Sequence, residues 1–139
     1  MQSAIKFEET ISIDGFCRLR ESVGFQKLTP EQALLVISST TFIVAAVHNG
    51  EYVGLVRILT DTLTDAYITD VIVSPHFQGQ GLGRELIEHS LAKLKALSVS
   101  NVKLACSLYA NAGKEPFYEK FGFERLLNSK YGCGMILEL

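Results

Sequence analysis

No apolar run in the 139-residue sequence approaches 18 residues, the length at which a bilayer-spanning helix becomes a candidate, so no membrane partner is expected. The first ten residues, MQSAIKFEET, lack a basic region followed by an apolar stretch, and a soluble, unprocessed, cytoplasmic chain is expected. Cysteine is scarce: Cys17, Cys106 and Cys133 are odd in number and far apart, with no CxxC or Cys/His cluster. A disulfide framework and a zinc site are therefore not expected, and a reducing compartment fits best. Only three prolines, Pro30, Pro75 and Pro116, interrupt the pattern, and no repeat or low-complexity stretch divides it. Residues 1–139 thus read as a single domain. A surplus of positive charge is also missing, since 13 Lys plus Arg stand against 15 Asp plus Glu. Without a broad positive field nucleic acid is not an expected partner, and any anionic ligand needs a local site.

Hydrophobic residues make up 47% of the chain and charged residues 20%. A domain of this size buries about 68% of its unfolded surface, enough for a core without staples. Residues 4–9 alternate apolar and polar and predict a short strand. Phe16, Leu19 and Val23 at helical spacing predict a helix over 13–23, stopped by Gly24. Thr29-Pro30-Glu31-Gln32 is a capping-box start for a second helix reaching Ser39. Two β-forming runs, 41–47 and 52–59, flank Asn49-Gly50, the pair that a two-residue hairpin turn with positive φ favours. Ala66–Val73 is a further strand, and Arg84–Leu97 carries Leu86, Ile87, Leu91 and Leu94 on one helical face. Val102–Cys106, a short helix starting near Lys114, and Gly134–Leu139 complete the order βααβββαβαβ. The expectation is an α/β fold with a mixed sheet of six or seven strands flanked by about four helices, parallel around the strand–glycine loop–helix–strand unit.

Between that strand and the long helix lies Gln78-Gly79-Gln80-Gly81-Leu82-Gly83-Arg84. Alternating glycines at the mouth of a helix expose backbone N–H groups to an anion, and a pyrophosphate fits. Spacing excludes two other nucleotide loops: neither GxxxxGK[ST] nor GxGxxG is present.

The pattern Gln78-x-x-Gly81-x-Gly83, after a strand ending Asp70-Val71-Ile72-Val73, resembles the acetyl-CoA loop of the GNAT superfamily of N-acetyltransferases. Asn111, followed by Phe117-Tyr118-Glu119-Lys120-Phe121-Gly122-Phe123, is similar to the family's second signature. Two departures stand out: Lys114 where Ala is usual, and Pro116 inside the helix, which forces a late helix start. The resemblance implies a GNAT-like acyl-CoA N-acyltransferase fold and acetyl-CoA as co-substrate. It also implies backbone contacts from Gln78, Gly79, Gln80, Gly81, Leu82, Gly83 and Arg84 to the pyrophosphate. Val71 and Val73 would pair with the pantetheine arm, and Asn111 and Tyr118 would lie near it.

An alkyl amine of pKa about 10 must lose a proton before it attacks a thioester. Asp70, on the strand entering the loop, is the first candidate base, with Glu21 or a water chain as alternatives. Tyr118 is the candidate acid for the departing thiolate. Surface positions are expected for His48, His76 and His89, and Arg57 reads as an exposed strand arginine that can reach an acidic acceptor. In this family the acceptor enters over segments matching Gly24–Leu28 and Asn128–Gly134 here, where Phe25 and Tyr131 offer an apolar wall. Neither segment has an acidic cluster, which favours a small amine. A homodimer is left open, as is the use of longer acyl-CoAs. The competing class is a non-catalytic acyl-CoA-binding sensor or subunit with the same fold, and Asp70 and Tyr118 are the residues that discriminate.

Overall fold

The computed structural model describes residues 4–139; Met1–Ser3, the start of the segment read for a leader, lie outside the described residues. The chain divides into two compact units, one ending at Leu108 and the other comprising Tyr109–Leu139. The larger unit runs β1 (Lys6–Glu8), α1 (Ile13–Ser22), α2 (Pro30–Ser38), β2 (Phe42–His48), β3 (Glu51–Thr60), β4 (Asp65–Val73), α3 (Leu82–Lys95) and β5 (Ala105–Ser107). The smaller unit holds α4 (Glu115–Glu119). No helix among the described residues is long and apolar enough to cross a membrane.

Local chemistry explains most boundaries. Ser12 caps α1 by accepting from the Gly15 N–H at 3.0 Å. At its other end Gly24 takes φ 79, and the Phe25 N–H returns to the Arg20 carbonyl at 2.9 Å, which is a left-handed stop that glycine makes without strain. The Thr29 capping box forms in full: the Gln32 N–H donates to the Thr29 hydroxyl while the Thr29 N–H donates to Gln32 Oε1. Asn49 and Gly50 both have positive φ, 49 and 77, as the hairpin joining β2 and β3 requires.

The sheet order is β1-β2-β3-β4-β5, with every pair antiparallel except β4 and β5, which are parallel. Helices α1 and α2 cover one face, burying Phe16, Leu19, Ala33, Ile43, Ala45, Leu55 and Ile72 together. Side-chain alternation turns Gly54, Val56 and Ile58 to the other face, where α3 packs and Leu86 closes on Gly54.

The sheet has five strands, not the expected six or seven. Gly134–Leu139 forms no strand, and Met135, Ile136 and Leu137 are exposed: β-forming side chains do not make a strand without a ladder partner. The strand expected at 102–106 begins instead at Ala105, because Val99 and Val102 pair across a tight turn first. The long helix starts at Leu82, two residues earlier than the periodicity predicts, so Leu82 and Gly83 belong to its first turn.

Candidate active site

Strand β4 carries the site. Its first three residues pair with β5, Asp65 with Ala105 through Tyr67 with Ser107. Beyond Tyr67 no strand among the described residues pairs with that edge, so residues 68–73 hold on to β3 alone. Within this stretch the register between β3 and β4 slips: Leu55 faces Ile72, yet Arg57 faces Thr69. β4 thus carries one extra residue, and Asp70 sits in the bulge with φ 48. An Asp in the left-handed region is tolerated better than most side chains, and a bulge re-aims what it carries.

What Asp70 is aimed at is a pair of cations. Its Oδ2 accepts from Arg57 Nε at 2.6 Å and from Arg20 Nη1 at 3.0 Å. All three side chains are about nine-tenths buried: exposure is 9% for Asp70 and 13% for each arginine. Arg57 Nη1 also donates to the Thr40 hydroxyl at 2.9 Å, and Arg20 Nη2 to the Gln26 carbonyl at 3.3 Å. The Arg20 guanidinium lies against the rings of Phe16 and Phe25, with centroid distances of 5.5 and 5.4 Å. Arg57 is therefore not an exposed strand residue: the fold buries it in an ion-pair network. Phe25, expected as part of an acceptor wall, carries the Arg20 guanidinium against its ring.

After β4 the chain makes a short turn, Pro75–Phe77, and enters the glycine loop. Gln78 Nε2 donates to the Val73 carbonyl at 3.0 Å and Gln80 Nε2 to the His76 carbonyl at 3.2 Å, so the two glutamine side chains brace the loop. Gly79 and Gly81 have φ of 74 and 86, a region that costs other residues about 1 kcal/mol or more. Gly81 is the N-cap of α3 and supplies no side chain to it. The first internal bond of that turn is from the Glu85 N–H to the Gly81 carbonyl at 3.2 Å. Among the described residues, the N–H groups of Gly79, Gln80, Gly81, Leu82, Gly83 and Arg84 find no protein acceptor. Open donors at a helix N-terminus suit a phosphate. The Arg84 side chain turns along the helix to Glu88 at 2.7 Å and is mostly exposed, so its contribution to an anion here is its N–H.

In the smaller unit the helix starts at Glu115 with Lys114 as N-cap and Pro116 in the first turn, the late start that proline demands. Tyr118 packs edge-on against Phe117 and Phe123. Burial pushes its phenol above the usual tyrosine range, toward the protonated form at neutral pH. Its hydroxyl has no protein partner among the described residues. Asn111 is exposed, and its carbonyl accepts the Lys114 N–H at 2.9 Å. Tyr131 is half exposed, with Lys130 over its ring.

The sequence missed Arg20 and Thr40. A signal existed for Arg20, which falls one helical turn after Phe16 on the stripe that also carries Leu19 and Val23. A cation on an apolar stripe needs a partner. Glu21, by contrast, is exposed. Of the histidines, His76 and His89 are exposed, while His48 is half-buried with its ring edge-on to Phe77 at 5.1 Å.

Cysteine chemistry is not what the site offers. Burial pushes the Cys106 thiol up to about 11. At pH 8 about 1 in 1,000 of such thiols is ionised, so iodoacetamide at that pH is expected to label the exposed Cys133 and spare Cys106, as peptide mapping by mass would show. Equal labelling of the two would contradict the burial.

Among known proteins, the model of the acetyltransferase (GNAT) family matches residues 12–123. A Staphylococcus aureus protein of unknown function, a probable acetyltransferase, superposes with a TM-score of 0.83 at 28% identity, covering 98% of this chain and 100% of that one. The uncharacterized N-acetyltransferase ycf52 of Pyropia yezoensis is 29% identical over 76% of this chain and 61% of its own length. The histone acetyltransferase TAP1 of Glycine max is 30% identical over 76% of this chain and 49% of its own. The chain thus spans 61% and 49% of the length of those two curated relatives. With the family model matched from α1 through α4, and the open-edged strand and glycine loop in place, the chain belongs to the GNAT acetyltransferase family.

Proposed function

We propose that the protein moves an acetyl group from acetyl-CoA to a primary amine of a small acceptor, by direct attack within a ternary complex. The observation that carries this reading is the row of open N–H groups from Gly79 to Arg84 at the mouth of α3, directly after a strand with a free edge. The loop donors hold the pyrophosphate. The free edge of β4 at Val71 and Val73 offers main-chain groups to the pantetheine amides, as an added strand would use them. A main-chain N–H near Val71 is the candidate donor to the oxyanion that develops as the amine attacks. Tyr118, held protonated by burial, is the candidate acid for the departing thiolate.

The geometry favours a positioning role for Asp70 over proton abstraction, because Oδ2 already serves two guanidinium groups. Asp70→Asn leaves two buried arginines without their carboxylate, a change that costs about 3 kcal/mol or more and roughly 10 °C in Tm. The pH profile of kcat/KM should stay parallel to that of the parent once corrected for the folded fraction. A loss concentrated at neutral pH that eases by about pH 9, where free amine is commoner, would restore Asp70 as the base. That proton otherwise leaves through water.

Initial rates with both substrates varied test the direct attack. Intersecting reciprocal plots are expected, and parallel ones would mark a covalent acetyl-enzyme.

A further inference from the structure

The network around Asp70 has one charge too many. Two guanidinium groups, each 13% exposed, share one carboxylate oxygen, and no other ion pair among the described residues brings a second acid to either arginine. A net positive charge held this far from water is costly unless an anion or solvent answers it. Two donors stand open. Arg20 Nε is buried without a partner among the described residues. Arg57 Nη2 has no acceptor among the described residues, and unlike Arg20 Nε it is not sealed from solvent.

The remaining hydrogen bonds hold these donors still. Thr40 fixes one end of the Arg57 fork, and the Phe16 and Phe25 rings and the Gln26 carbonyl fix Arg20. Among the described residues Asp70 Oδ1 has no partner, so the ion-paired cluster leaves both a carboxylate oxygen and a guanidinium nitrogen open. An ammonium and an anion on one small molecule match that pair. We propose that this cluster selects an acceptor amine that also carries a carboxylate, Arg57 binding the carboxylate and Asp70 Oδ1 the incoming ammonium. The inference rests on the acetyl-transfer reading, because Asp70 is bonded to Val71 on the strand assigned to the pantetheine arm.

The test sets glycine, β-alanine and 4-aminobutyrate against alkylamines of equal length. Calorimetry on the CoA-saturated protein measures their binding without turnover, and thiol release measures their kcat/KM. The parent is expected to favour each amino acid over its alkylamine by about tenfold or more in both measurements. In Arg57→Gln, where Arg20 still pairs with Asp70, the preference should collapse through KM for the amino acids. Arg57→Lys should recover part of it by keeping the charge. Equal affinity of the parent for both series, or no binding of either, would overturn the inference, as would an Arg57→Gln loss that falls equally on amino acids and alkylamines. The acetyl-transfer reading fails separately, if no amine of either series speeds thiol release.

Discussion

Replacing Gly81 by Glu is expected to weaken acetyl-CoA binding roughly tenfold or more, about 1.4 kcal/mol, by calorimetry on the folded variant. Two effects act in the same direction. Gly81 holds φ 86 at the N-cap of α3, so any side chain strains the turn that aims the loop donors. A carboxylate at that cap then competes with the phosphate for the same N–H groups and repels its charge. Gly81→Asn separates the two effects, since Asn tolerates positive φ better than most residues and adds no charge. Its affinity should fall less than that of the Glu variant. A folded Gly81→Glu protein that binds acetyl-CoA as the parent does would remove the loop from the site.

Tyr118→Phe is expected to lower turnover by roughly 10² with acetyl-CoA affinity nearly unchanged. The substitution keeps the ring that packs edge-on with Phe117 and Phe123 and removes only the proton. Burial holds that phenol above its ordinary range, so it is protonated at every pH near neutrality. The alkaline limb set by Tyr118 should therefore lie above that of an ordinary tyrosine. Thermal melts of the two proteins report whether packing is preserved, and a variant as active as the parent would assign the proton to water.

What the sequence made legible was local. The capping box at Thr29, the left-handed stop at Gly24 and the Asn49-Gly50 turn each depend on residues close together in the chain, and each forms as read. The glycine loop is legible for the same reason, because its φ requirement and its helix mouth are neighbours in the chain. The Asp70 network is not. Its members are separated by 50 and 13 residues, and it depends on a bulge that no residue pattern announces: Asp70 reads as an alternating strand residue until the register with β3 slips. The consequence for function is direct, since one oxygen of a carboxylate that reads as a free base is shared by two arginines. The final strand failed for the opposite reason: residues 134–139 have the composition of a strand, but pairing is a property of a partner edge as well.

Acetyl-CoA is incubated with the protein and a panel of primary amines, amino acids and amino-sugars, with released thiol and product mass followed together. The account predicts that at least one amine releases thiol well above the rate with acetyl-CoA alone, with equimolar product heavier by one acetyl group and with the rate lost in Tyr118→Phe. Tight acetyl-CoA binding with no amine-dependent thiol release would contradict it and leave a protein that holds the acyl carrier without turning it over.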